Sequence, residues 1–229
     1  GHYLGTDSRG WDVAAQLFGG FQVVLKAAGL YLAATYLIGT TIGLLMGFWG
    51  GYFDLAMQRF IEILSSIPFI YLVIILVSIL DKDNITLPLI IAVFCVFSWI
   101  GCSYYMRSAT YREKARDYVA AARVLGAGPG RIVFKHILPN TISVLVTLIP
   151  FSITGISSSI TSLDFIGFGL PERYASWGRL LADGVEHMRT SPWIVLSVFA
   201  ILVSVLLLVT FVGEALREAF DPKKFTTYK

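Results

Sequence analysis

Five stretches of this chain stay apolar for longer than a soluble core requires. Residues 27–49, 61–80, 84–106 and 192–213 each supply about 20 mostly apolar residues, the length a helix needs to cross a hydrocarbon layer. Residues 137–163 form a fifth run, rich in Ser and Thr. The runs are continuous and lack the alternation of barrel strands, so helices must satisfy the backbone inside the bilayer. Charge agrees: 14% of the 229 residues are charged, against roughly 25% in soluble domains. The expected fold is an all-α polytopic membrane protein with five visible transmembrane helices.

Basic residues orient the spans. Arg59, then Arg107, Arg112, Lys114, Arg116, Arg123, Arg131 and Lys135, then Arg217, Lys223, Lys224 and Lys229 fall on one side. Arg9, Lys82, Arg173, Arg179 and Arg189 fall on the other. The positive-inside bias puts the larger group and the C-terminus in the cytoplasm, and the first residues outside. The chain thus starts outside with GHYLGTD and no cationic leader, and the expectation is a further transmembrane helix upstream. The resulting map has an extracytoplasmic segment 1–26 and a transmembrane domain 27–220. That domain holds an inner loop 107–136 and an outer loop 164–191, and a cytoplasmic tail 221–229 follows it.

Several chemistries have no residues to support them. There is no GxxxxGK[ST] phosphate loop, and the GAGPG of residues 126–130 lacks the Lys-Ser/Thr ending. His2, His136 and His187 are scattered, and Cys95 and Cys102 sit in one apolar run as packing residues. No catalytic residue, metal site or resident cofactor is expected, and the bilayer rather than nucleic acid is the expected surroundings. Residues 27–49, 63–80, 84–106, 137–163 and 192–213 contain no Asp, Glu, Lys, Arg or His. Proton-coupled carriers commonly build relays from such groups, so a self-sufficient proton-coupled carrier is disfavoured. Sodium coupling through hydroxyls and carbonyls stays open, and a transporter driven from outside the membrane fits better.

The segment DYVAAARVLGAGPGRIVFKHILPN, residues 117–140, separates two apolar runs. Read as a helix over 117–127, it places Tyr118, Ala121, Ala122 and Leu125 on one face, with Arg116 and Arg123 at its flanks. Gly126 and the following GPG end it, a second helical pattern starts near Arg131, and Pro139 lies where that helix meets the membrane. Two readings are open: a rigid lever gripped by a partner, or an interfacial helix resting on lipid headgroups.

Other positions divide in the same way. Ser152, Ser157, Ser158 and Thr161 belong to a hydroxyl-rich run that either lines a wet path or packs helices closely. Asp164, at its outer end, either meets a cationic group of a substrate or anchors the loop. Gly39, Gly43 and Gly47 repeat every four residues and form a smooth ridge for helix packing. Arg59 and Glu62 are spaced to pair locally on a helix near Asp54.

These blocks carry a family resemblance. Ala121, Ala122, Gly126 and HILP (residues 136–139) resemble the cytoplasmic "EAA" signature of ABC importer permeases, with Ala120 in place of its Glu. His136 is similar to the oligopeptide, dipeptide and nickel branch. HYLGTDSRGWDV (residues 2–13) and GGYFDLAMQRFIEILSSIP (residues 50–68) resemble blocks of the second, C-type, permease subunit of that branch. TSLDFIGFGLP and GEALREAFDPKK resemble the Yej-type peptide permease in particular. The resemblance implies a type I ABC importer permease fold of six helices, the first missing here. It makes residues Tyr118, Ala121, Ala122, Arg123, Leu125, Gly126 and Pro139 an ATPase-coupling element. It further implies a second permease subunit, two ATPase subunits that carry ATP and Mg, an extracytoplasmic substrate-binding protein, and peptides as cargo. Nickel or another small solute as cargo, or an ATP-independent carrier, are the alternatives.

Overall fold

The computed structural model describes residues 2–80 and 82–219; the tail 221–229 lies outside them. The elements in order are α1 (Val13–Trp49), α2 (Gly51–Ser65), α3 (Phe69–Ile79), a 3₁₀ turn (Lys82–Asn84), α4 (Leu87–Lys114), α5 (Asp117–Val124) and α6 (Pro129–Arg131). A π-helical stretch (Ile132–Ile137), α7 (Leu138–Phe165), α8 (Trp177–Glu186) and α9 (Pro192–Ala219) complete the described residues. Among the described residues the β pairing is confined to an isolated bridge between Thr6 and Asp12. Among the described residues four helices are long and apolar enough to cross a membrane: Val13–Trp49, Leu87–Lys114, Pro129–Phe165 and Pro192–Ala219. A fifth span results if the bent pair α2–α3 counts as one.

That pair corrects the expectation of one continuous helix over 61–80. The helix stops at Ser65, Ser66 donates its N–H to the carbonyls of Glu62 and Ile63, and α3 starts at Phe69. Pro68 lies in the break: it has no N–H to give and disfavours helical geometry at Ile67. A second difference lies at the N-terminus. Residues 13–26, assigned above to an N-terminal segment, are the first turns of α1. Asp12 caps them, its Oδ1 accepting the Ala15 N–H at 3.2 Å.

The chain packs as two compact units. One takes in the chain to Leu32, Phe69–Phe94 and Phe151–Phe211. Its core joins Val13, Leu17 and Val24 of α1 to Trp177 and Leu180 of α8 and to Ile194 and Val198 of α9. Trp177 is the anchor: its ring is buried and its Nε1 donates to the Leu17 carbonyl at 2.8 Å.

The other unit takes in Ala33–Pro68, Cys95–Pro150 and the described residues from Val212 on. Here Gly39, Gly43 and Gly47 lie directly against α4. A Cβ on Gly43 would sit 2.4 Å from the Ser103 carbonyl oxygen, and one on Gly47 would sit 2.6 Å from the Thr110 Cβ. The absent side chains let two helix backbones approach to near contact, which rewards dispersion in a setting where lipid offers no hydrophobic drive. A second cluster buries Met46, Ile61 and Trp99.

Candidate functional site

α5 is built from local signals. Asp117 lies in its first turn and Arg123 in its last, both complementing the helix dipole. It ends at Val124, earlier than the expected 127, through a paired cap: Ala127 N–H bonds to the Ala122 carbonyl at 3.0 Å and Gly126 N–H to the Arg123 carbonyl at 2.9 Å. This cap places Gly126 at φ 81°, a left-handed conformation that glycine adopts without penalty. Pro129 then opens the next helical stretch at its first position, where no N–H is needed.

The faces of α5 differ from the expected one. Val119 is fully buried and Ala122 is 7% exposed, packed with Leu44, Phe48, Cys102, Met106, Ile132, Val133 and Ile137. Tyr118 is half-buried beside them. Ala121 and Arg123 face outward, and Val124 and Leu125 are 88% and 86% exposed. The expected single face of Tyr118, Ala121, Ala122 and Leu125 is therefore split, with Tyr118 and Ala122 inside and Ala121 and Leu125 outside. The cause is Val119, whose branched side chain fills the core and sets the rotation of a helix only two turns long. Pro139 is exposed at the start of α7.

Polar contacts fix the same region. The Tyr118 hydroxyl donates to Glu113 Oε2 at 2.9 Å. Burial, and then this bond, push the Tyr118 hydroxyl up to about 12, so it remains a proton donor at neutral pH. Lys114 Nζ donates to the Phe48 carbonyl, and the Arg123 guanidinium stands 5.8 Å from the centre of the Phe48 ring.

A second cluster was not legible beforehand. Asp54, 4% exposed, accepts from Arg107 through both oxygens, each at 2.5 Å, and its Oδ2 accepts from the Tyr111 hydroxyl at 3.0 Å. This bidentate pair fastens the first turn of α2 to α4. Arg59 and Glu62 do pair, at 2.5 Å, but with side chains 74% and 54% exposed they form a solvated surface contact.

The hydroxyl-rich helix separates its candidates. Ser157 and Thr161 are buried and donate to the carbonyls of Ile153 and Ser157, at 2.6 and 2.8 Å. Ser158 is exposed on another side, and Ser152 is half-buried. Asp164 is committed to the loop between α7 and α8: Oδ1 accepts the Leu170 N–H at 2.6 Å and Oδ2 accepts from the Ser176 hydroxyl at 2.5 Å. Ser176 also caps α8, and Arg179 holds the carbonyls of Leu170 and Tyr174. Burial lowers the Arg179 guanidinium, and the nearby Asp164 carboxylate opposes that shift. Gly178 lets α8 settle on this anchor, since a Cβ there would lie 2.0 Å from the Thr161 carbonyl oxygen.

Comparison with known proteins gives these features a setting. The family described as "Binding-protein-dependent transport system inner membrane component" matches residues 39–226. The chain is 39% identical over 223 residues to the Peptidoglycan transport system permease protein YejE of Agrobacterium fabrum (strain C58 / ATCC 33970), covering 97% of this chain and 58% of that one. It is 35% identical over 223 residues to the Inner membrane ABC transporter permease protein YejE of Escherichia coli (strain K12), covering 97% and 64%. With the Oligopeptide transport system permease protein OppC of Haemophilus influenzae (strain ATCC 51907 / DSM 11121 / KW20 / Rd) the figures are 36% over 224 residues, covering 97% and 70%. The chain thus spans less than two thirds of the length of the first two relatives. Among solved structures, an inward-facing MetNI methionine ABC transporter (the CY5 native crystal form) superposes with a TM-score of 0.66 at 19% identity, covering 90% of this chain and 96% of that one. At that identity the likeness concerns the fold, which is that of an ABC importer permease. With its four or five candidate spans, this chain is a multi-pass inner membrane protein that belongs to the binding-protein-dependent transport system inner membrane component family.

Proposed function

We propose that this chain is the permease subunit of an ATP-driven ABC importer that moves peptides across the bacterial inner membrane by alternating access. The observation that carries this reading is α5: a short helix whose inner face is packed into the protein while Val124 and Leu125 stand exposed at its tip. Two large apolar side chains held out on a rigid, cation-flanked helix suit a groove on a partner rather than water. In this reading the partner is an ATPase subunit, α5 is the coupling helix, and closure of the ATPase dimer moves α4 and α7. ATP and Mg sit on the ATPase subunits, and this chain does no chemistry itself.

Peptide cargo is supported by relatives described as peptidoglycan, oligopeptide and dipeptide transport system permeases. A second permease, two ATPase subunits and an extracytoplasmic binding protein complete the assembly. In this reading α5 and the C-terminus are cytoplasmic and the first residues outside, which the bias of basic residues supports. Within the hydroxyl-rich helix the exposed Ser158 is the best placed path residue, and Asp164 acts as the anchor of the outer loop. Uptake of labelled trialanine into proteoliposomes of the complete assembly tests the reading. Uptake that needs ATP and the binding protein supports it, whereas uptake by this chain without ATP would establish the carrier alternative.

A further inference from the structure

We infer that Arg173 is a latch that holds the start of α4 to the end of α7 and must release in each transport cycle. This rests on the alternating-access reading above, in which the loop between α7 and α8 is extracytoplasmic.

One side of that loop is fastened by shielded groups. Asp164, at the end of α7, is buried and holds the Leu170 N–H and the Ser176 hydroxyl. Gly169 lies so close that a Cβ on it would stand 1.7 Å from Asp164 Oδ1. The half-buried Arg179 adds the carbonyls of Leu170 and Tyr174. Breaking these contacts would leave a buried charge without partners. The loop therefore travels with the end of α7.

The other side is fastened differently. The Pro171 carbonyl accepts the Tyr174 N–H at 3.1 Å, closing a turn with the exposed Glu172 and Arg173 at its tip. From that tip Arg173 Nη1 donates to the Asp83 carbonyl and Nη2 to the Ile85 carbonyl, each at 2.5 Å. The Tyr174 ring lies 5.2 Å from the same guanidinium, and its hydroxyl accepts the Leu87 N–H at 3.5 Å, the far limit of a hydrogen bond. Asp83 and Ile85 immediately precede α4, and Leu87 is its first residue. The acceptors of Arg173 are neutral carbonyls and its side chain is at the surface, so water replaces either partner and no buried charge is stranded when they separate. Alternating access requires the extracytoplasmic ends of spans to part. When those of α4 and α7 do, the Arg173 contact yields before the Asp164 anchor.

The test uses the complete importer in proteoliposomes, with labelled trialanine as the probe. Asp83→Cys and Glu172→Cys, both at exposed positions, are joined by a short bismaleimide with a cleavable disulfide, while Arg173 stays in place. The native Cys95 and Cys102 are buried and stay unreacted. Cross-linking should lower uptake at least about tenfold, because one conformation is held, and reductive cleavage should restore it. Each single-cysteine variant treated alike should keep its uptake. Arg173→Gln shifts the balance the other way: ATP hydrolysis without the binding protein should rise about tenfold, as for hydrogen bonds from a charged group lost from the latched state alone. Should Arg173→Gln fail to accumulate, the cross-link, which keeps Arg173, decides alone. Undiminished uptake after full cross-linking overturns the inference, and so does a pair of cysteines that cannot be joined. So does an Arg173→Gln importer in which hydrolysis is unchanged, or in which uptake, hydrolysis and assembly fall in parallel as a purely structural contact predicts. Uptake by the wild type without ATP refutes the importer reading instead, and this inference falls with it.

Discussion

Removing Arg107 should be one of the most damaging single changes in this chain that leaves its exposed surfaces intact. Asp54 is 4% exposed and both its oxygens accept from the Arg107 guanidinium at 2.5 Å. In Arg107→Met the carboxylate keeps its Tyr111 bond at 3.0 Å but loses its counter-charge. Breaking a buried pair in this way costs about 3–5 kcal/mol, because an uncompensated charge is left behind. The Arg107 side chain is 27% exposed, so water reaches one flank of the pair and the lower end of that range applies. Asp54→Asn is milder: the guanidinium left behind can recruit water through that flank, for a cost of about 1.5 kcal/mol. The double variant has no stranded charge and should be no worse than Arg107→Met, giving an interaction of at least about 1.5 kcal/mol in a double-mutant cycle. The assay is unfolding of the purified protein in mixed micelles of rising SDS fraction, followed by tryptophan fluorescence. A cost below about 1 kcal/mol for Arg107→Met, or additive single effects, would refute the claim that this pair is buried and fastens α2 to α4.

Three further outcomes are expected. Gly43→Val should abolish stable accumulation in the membrane, because its Cβ would sit 2.4 Å from the Ser103 carbonyl and backbone cannot yield as a side chain does; Gly101→Ala, where nothing lies within 4 Å, is the matched control that should accumulate normally. Asp164→Ala should strand the Leu170 N–H and the Ser176 hydroxyl, destabilise the loop between α7 and α8 by about 2–3 kcal/mol and raise protease cleavage near Leu170, whereas Asp164→Asn, which keeps an acceptor, should retain most of the protection. Ala122→Asp should impair folding, since that side chain is inside the core, whereas Ala121→Asp should accumulate normally and weaken ATPase retention; membrane yield and co-purification separate the two.

What the sequence made legible follows from which forces act locally. Four of the five apolar runs appear as long helices because span length and backbone satisfaction are properties of a single segment. The end of α5 at Gly126 was readable for the same reason, since a left-handed cap needs glycine whatever surrounds it. The glycine ridge was readable as a packing surface, but not its partner, α4 from Trp99 to Thr110. Pro68 should have divided the run at 61–80. Averaged hydropathy masks it because the break is only three residues long and apolar segments flank it on both sides.

The misses are tertiary. A helical wheel put Tyr118, Ala121, Ala122 and Leu125 together, but in so short a helix one well-packed residue, Val119, decides the rotation. Asp54 and Arg107 are 53 residues apart, and no periodicity links them. A signal was present in Arg107, a cation standing immediately after an uncharged run of 84–106, where an acid partner is favoured. The hydroxyls of α7 all look alike in sequence. Their division into buried Ser157 and Thr161 and exposed Ser158 depends on which neighbours cover the helix.

The central claim is that the exposed tip of α5 receives motion from an ATPase. The direct measurement is Leu125→Asp in the complete importer in proteoliposomes, reading co-purified ATPase and ATP-dependent trialanine uptake. Leu125 is 86% exposed, so the change leaves the fold intact, and burying its side chain in a partner groove is worth about 2 kcal/mol. The account predicts normal membrane accumulation, ATPase retention lowered at least tenfold, and uptake near background. Normal retention with undiminished uptake would contradict it.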